Sequence, residues 1–319
     1  MPINPRLTLE KYQVVVYLLA ISVGLAIGLI APPSEGWLEW LIWPLLGALL
    51  YVTFTQTHLG AMGAALADRR FLAVILVVNF LLAPALVWLL TCLFVDDPVL
   101  ALGVFLVLLV PCTDWFVTFS QLGRADVPRA LAATPILLIV QILLLPLYLW
   151  LFTAGDLWTQ WQPASMIMAF VLIILLPLIA AWLTDLGGRR YGALQRWTET
   201  MAWLPVPLLA VVLFAIMLSH APQVVAELGT LWSVALVFVL YLLLAPWIAD
   251  AAGRMGGLPA AARRTIAFSA ASRNSFMILP IALALPASLQ PVVTVIILQS
   301  LIELVGLIAF TRLIPAWVR

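Results

Sequence analysis

The chain alternates long apolar runs with short polar breaks. Runs near twenty residues fall at 12–31, 37–57, 71–94, 98–122, 126–153, 164–185, 199–219, 229–250, 260–286 and 290–314. Each has the length of a helix that crosses a bilayer. Connecting stretches such as "APPSEGW", "VDDP", "TAGD" and "TDLGGRR" are short and turn-like, so the pattern predicts an all-α membrane protein of ten transmembrane helices in one domain spanning 1–319. Two segments break their own pattern. The fourth runs into "LVPCTDWFVTFSQLGRAD" (109–126), and the ninth contains "AFSAASRNSFMILPIALALP" (267–286).

A weak internal repeat relates these two places. "NFLLAPALVWLL" (79–90) matches "YLLLAPWIADAA" (241–252) at an offset of 162, and "PLLGALLY" (44–51) matches "PLLAVVLF" (207–214) at 163. Five spans per repeat is an odd number, so the halves, 1–157 and 158–319, are predicted to have inverted topology. Inverted repeats are a signature of secondary transporters, whose sites lie at the midplane on discontinuous helices. Adding 162 to Cys112 gives Asn274, so the two interrupted segments correspond. Proline at 111 and at 280 fits a broken helix, because it removes a backbone donor.

Composition sets the solvent. Hydrophobic residues make up 65% of the chain and charged residues 9%, with a mean hydropathy of +1.17. A soluble domain carries about a quarter charged residues. The net charge of +1 gives no basis for nucleic-acid binding, and two cysteines, Cys92 and Cys112, make no disulfide framework. No cleavable signal peptide is evident, since the first apolar run continues as a full span. Of the fifteen basic residues, all but Arg273 fall on one side of a ten-span arrangement. The positive-inside rule then predicts both termini in the cytoplasm of a bacterial-type inner or plasma membrane. No Walker A sequence, nucleophile elbow or metal-ligand cluster appears, so neither an enzyme nor a resident cofactor is expected.

Three ionisable residues, Asp114, Arg273 and Glu303, are expected at membrane depth, where charges usually face a cavity and find partners. Asp114 and Arg273 occupy the two breaks and could pair. Glu303 has no partner close in sequence, so a carboxyl there could take up and release a proton. Gln141 is its counterpart in the first repeat, and Gln299 shares its helical face. Cys112 sits at a break beside Thr113 and near Asp114, and a thiolate is a good ligand for soft elements. Asn274 and Ser275 complete the polar residues of the second break. Cys92 reads as a small buried hydrophobe, while His58, Asp185, His220 and Asp250 read as interfacial.

With these residues in view, the chain resembles the bile acid:sodium symporter superfamily, and within it the Acr3-like arsenical-resistance permeases. The resemblance rests on "VPCTDWFVTFSQLGRADVPRALAATP", "AFSAASRNSFMILPIALALP" and "LQSLIELVGLIAFTRLIP". It implies two inverted five-helix repeats, with spans 1, 2, 6 and 7 as a panel and spans 3–5 and 8–10 as a core in which broken helices four and nine cross. Sodium-coupled members of the superfamily place a Ser-Asn pair where this chain has Phe116 and Val117. Their ninth-span glutamate and glutamine fall here on Ser269 and Arg273, and only the asparagine is kept, as Asn274. The resemblance therefore implies loss of the usual sodium sites, since hard cations need oxygen ligands. Of the two residues typical of arsenite permeases, the cysteine is present as Cys112, and the glutamate falls on Met277.

Two functions follow as expectations. The first is proton-linked export of arsenite or a related metalloid, with transient metalloid contact at Cys112, shaping of the site by Asp114 and Arg273, and proton carriage by Glu303. The alternative is uptake or exchange of a small organic anion paired with Arg273. The expected partners are the small-molecule, oxyanion or metalloid substrate, protons, the lipid bilayer and, for assembly, a second copy of the chain.

Overall fold

The computed structural model describes residues 5–31, 37–56, 66–113, 115–152, 168, 170–188, 190–227, 229 and 231–319. Among these the chain is helical, with no β-strand. In order the helices are α1 (Pro5–Ile30), α2 (Trp37–Thr55), α3 (Arg69–Val77), α4 (Ala83–Phe94), α5 (Pro98–Leu108), α6 (Trp115–Leu122) and α7 (Val127–Phe152). There follow α8 (Leu176–Gly188), α9 (Gly192–Met201), α10 (Pro205–Glu227), α11 (Trp232–Met255), α12 (Ala260–Ala271), α13 (Ser275–Leu283) and α14 (Pro291–Trp317). A π-helical turn, Val78–Leu82, joins α3 to α4, and a second, Phe170–Leu175, leads into α8.

Not every expected span is one long helix. Among the described residues five helices are long and apolar enough to cross a membrane: Arg69–Phe94, Val127–Leu145, Pro205–Pro222, Trp232–Met255 and Pro291–Trp317. The fourth and ninth segments fall short because each is split in two. Large apolar side chains stand exposed on many helices, among them Leu19, Trp40, Leu81, Leu143 and Trp247. Apolar surface on this scale belongs against lipid rather than water.

The helices group into two compact units. One is built from α1, α2 and α8–α10, and the other from α3–α7 and α11–α14. The first therefore draws on apolar segments one, two, six and seven, and the second on three to five and eight to ten.

In the first unit α1 packs along α10. The buried face of α1 carries Tyr17, Ile21, Gly24 and Gly28, a helical spacing. Without side chains the two glycines let the backbones touch: a Cβ at Gly24 would stand 2.6 Å from the Phe214 carbonyl, and one at Gly28 would stand 2.6 Å from that of Leu218. Small residues four apart are how helices associate closely in lipid, where no hydrophobic force drives them together.

In the second unit the helix ends are tied by charge. Asp68 caps α3 by accepting from the Phe71 N–H (3.1 Å), and it accepts from Arg129 Nε (2.8 Å) at the start of α7. Arg129 also holds Asp126 at 2.6 Å. Burial pushes the Asp68 carboxyl up, but the bonds from Arg129 and Phe71 and the charges of Arg129 and Arg70 outweigh it, so it ionises more readily than usual. Asp250, expected at the interface from its place near a segment end, is covered by protein. It is buried and bonded to Arg263 (3.0 Å) and Arg254 (2.8 Å), and Arg263 is itself buried in α12. The apolar run ends at Asp250, but α11 continues to Met255 and α12 folds back over it. Cys92 departs from expectation in the other direction and is exposed on the outer side of α4. His58 lies outside the described residues.

Replacing Gly28 by leucine should separate α1 from α10. Overpacking of this kind costs about 1–3 kcal/mol. Detergent-solubilised Gly28→Leu protein should melt several degrees below wild type, whereas leucine at Gly47, where a Cβ meets nothing within 4 Å, should leave the melting temperature unchanged.

Candidate functional site

The two interrupted segments meet through their backbones. Helix α5 ends at Leu108 and α6 begins at Trp115; α12 ends at Ala271 and α13 begins at Ser275. Between these ends, Pro111 and Arg273 face each other in an antiparallel bridge. The Cys112 N–H donates to the Ser272 carbonyl at 3.1 Å, and the Asn274 N–H donates to the Val110 carbonyl at 2.8 Å.

Pro111 is one cause of the first break, since it has no N–H and disfavours helical geometry in the residue before it. In an antiparallel ladder the facing pair between two such bonds turns its own N–H and C=O outward. Pro111 stands at that position, so its missing donor costs nothing. Arg273 stands opposite, and its outward N–H donates instead to Glu303 Oε2 at 2.9 Å.

The second break lies at Ser272–Asn274, among the polar residues that interrupt the segment, and Pro280 is accommodated inside α13. Asn274 supplies the restart. Its side-chain Oδ1 accepts from the Met277 N–H at 3.2 Å, capping α13. Trp115 at the head of α6 meets Phe276 edge to face, with ring centroids 5.4 Å apart.

Cys112, Thr113, Gln141, Arg273, Asn274, Ser275, Gln299 and Glu303 are all buried, none more than 4% exposed. Asp114 lies outside the described residues. The expectation that Glu303 has no partner close in sequence is corrected: Gln299, one turn before it on the same face of α14, is one partner, and the distant Arg273 N–H is a second. Gln299 Nε2 donates to the same Oε2 that accepts from the Arg273 N–H, and Ser275 Oγ donates to Gln299 Oε1 at 2.5 Å. A buried polar chain therefore runs Ser275–Gln299–Glu303. In the first repeat Gln141 Nε2 points to the Met277 sulfur at 3.3 Å.

The Arg273 side chain finds its partners on residues that no sequence pattern singled out. Nη2 donates to the Ala270 carbonyl (2.7 Å) and to Asn79 Oδ1 (3.3 Å), and the guanidinium lies over the Tyr241 ring, 5.2 Å from its centroid. Asn79 also donates to Ser269 Oγ at 2.9 Å. Asn79, Ser269 and Tyr241 thus join the site, although Asn79 and Tyr241 sit in otherwise apolar runs. Several buried polar atoms have no hydrogen-bond partner among the described residues: Thr113 Oγ1, Gln141 Oε1, Arg273 Nε and Nη1, and Glu303 Oε1. A buried polar atom left unpaired costs about 1–3 kcal/mol. Such a cluster suits a site that meets a polar cargo.

Apolar helices, two of them broken and paired at the breaks, with unpartnered polar atoms on the elements around the pairing, define a polytopic membrane protein built around a polar site. The sequence profile of the Sodium Bile acid symporter family matches residues 43–240, more than half of the chain. The chain belongs to that family, and it is a membrane transporter of the bile acid symporter type rather than an enzyme. The match covers the first break and stops short of Tyr241, Arg273 and Glu303. No curated protein matches the chain.

The cap at the second break is open to a direct test. Asn274→Ala removes the acceptor for the Met277 N–H, and loss of such a cap costs about 1 kcal/mol. Asn274→Asp keeps an acceptor at the same place. Melting of the purified protein should rank wild type and Asn274→Asp above Asn274→Ala.

Proposed function

We propose that this chain is a secondary transporter of a small organic anion, built from two inverted five-helix repeats with both termini cytoplasmic. The observation that carries the reading is Arg273. It is 2% exposed, and two of its three guanidinium nitrogens have no hydrogen-bond partner among the described residues. No carboxylate among those residues lies within ion-pair distance of it; the basic residues that do form ion pairs there are Arg129, Arg254 and Arg263. A buried cation with open N–H groups is the natural counterpart of a carboxylate or a similar oxyanion.

The repeat gains support from the bridge. Pro111 and Arg273 are separated by the repeat offset of 162, and exchanging the repeats turns the bond from Cys112 to Ser272 into the bond from Asn274 to Val110. A two-fold axis through the bridge accounts for both bonds at once. The division into units, segments one, two, six and seven against the rest, favours a panel and a core.

Coupling in this reading does not use the sodium sites of the wider superfamily. Phe116 is fully buried, and the Ser269 hydroxyl is engaged by Asn79. Glu303, with one oxygen unpartnered, is the proton carrier. Uptake by the full chain in liposomes should persist when sodium is replaced by potassium or choline. A steep sodium dependence would count against this account.

A metalloid is the second reading, favoured by the place of Cys112, buried at the first break. Two variants separate the readings in liposomes offered labelled cholate, labelled lactate or arsenite. If the cargo is an organic anion, Arg273→Gln abolishes transport and Cys112→Ser has a mild effect. If it is a trivalent metalloid, Cys112→Ser abolishes arsenite transport, because a hydroxyl is a hard ligand in place of a soft one.

A further inference from the structure

We infer that Asn79 and Tyr241 are positioning residues that hold the Arg273 guanidinium ready for the anion, an inference that rests on the anion reading above. Both side chains are fully committed. Asn79 Nδ2 donates to the Ile75 carbonyl (3.0 Å) and to Ser269 Oγ (2.9 Å), which fixes the amide plane and aims Oδ1 at Arg273 Nη2. The Tyr241 hydroxyl donates to the Ala270 carbonyl at 2.9 Å, and its ring lies beneath the guanidinium. The Ala270 carbonyl joins the two, since it accepts from Nη2 as well.

The result is a cradle of neutral groups for a cation: an amide oxygen, a backbone carbonyl and an aromatic face. None of these three carries negative charge, so the groups that hold the guanidinium do not themselves neutralise it. Nη2 has two hydrogens and both are used, which leaves Nε and Nη1 to meet the cargo. A long, flexible side chain that is already ordered loses less entropy when it binds.

Two further observations single out these residues. Asn79 lies in the π-helical turn Val78–Leu82, and such turns recur at functional sites. Asn79 and Tyr241 also stand at the same place in the two copies of the "LLAP" repeat, at the offset of 162. The two repeats therefore contribute one residue each to the same cation. One offers a hydrogen-bond acceptor and the other a π-face, which attracts a cation electrostatically.

Two measurements test the inference. The first needs no cargo. Melting temperatures of wild type, Asn79→Ala, Arg273→Gln and the double variant, all full-length in detergent, form a cycle. The double variant should lose clearly less than the sum of the single losses; additive losses would overturn the holding role.

The second is transport kinetics in liposomes with labelled cholate and labelled lactate. Asn79→Ala and Tyr241→Leu should each raise KM about tenfold with Vmax within about twofold of wild type, as expected for loss of one contact to a charged group. Tyr241→Phe keeps the aromatic face and loses the hydroxyl, so its KM should fall between wild type and Tyr241→Leu. A merely structural role would lower Vmax in step with the amount of folded protein and leave KM alone. Where Asn79→Ala fails to fold, the two Tyr241 variants carry the test. Unchanged KM in these variants, with transport abolished by Arg273→Gln, would overturn the positioning role alone. Transport that survives Arg273→Gln would overturn the anion reading and the inference with it.

Discussion

Lipid offers no hydrogen bonds, so every backbone amide at membrane depth must find a partner within the protein. That constraint governs the second unit. Two helices stop inside the apolar region, and each stop frees carbonyls and N–H groups that nothing in the bilayer can satisfy. The two extended stretches satisfy each other, Val110–Cys112 against Ser272–Asn274, and the Asn274 side chain covers the first amides of the restarted helix. Breaking one segment alone would leave its backbone groups stranded. The pairing thus ties two distant parts of the sequence, and it places Thr113, Arg273, Ser275 and Glu303 on elements that pack together.

The stretches that the sequence offset of 162 relates are chemically unequal around this pairing. Ser275, Gln299 and Glu303 form a continuous polar chain in the second half. The offset of 162 carries these positions to Thr113, Leu137 and Gln141. Leucine interrupts the series, and Thr113 Oγ1 and Gln141 Oε1 are left without partners among the described residues. Unpartnered atoms occur in both halves, with Arg273 Nε and Nη1 and Glu303 Oε1 in the second, but only the second half carries ionisable groups among them.

The breaks were legible in the sequence because polar residues and Pro111 stand out within apolar runs. The offset linked the breaks because "LLAP" survives in both halves. The cradle around Arg273 was not legible. Asn79 is one polar residue in an apolar stretch, and a tyrosine among leucines reads as core; what joins them to Arg273 is contact across some 190 and 30 residues of chain respectively. The burial of Asp250 was hidden for a related reason, since its pairing with Arg263 depends on α12 folding back over the end of α11. The polar residues Ser272–Ser275 marked the second break, and Pro280 marked only the segment, since it lies inside the restarted helix.

The bridge between Pro111 and Arg273 also limits itself. A short pair of strands normally shows two open edges to which another strand can add, a hazard while a chain is being inserted among other unfolded chains. Here proline offers no donor on one edge, and on the other the Arg273 N–H is already taken by Glu303. The central pair of this smallest possible sheet thus offers no free N–H on either edge, since Pro111 has none and the Arg273 N–H is held by the Glu303 carboxyl group, and an added strand would find only acceptors there.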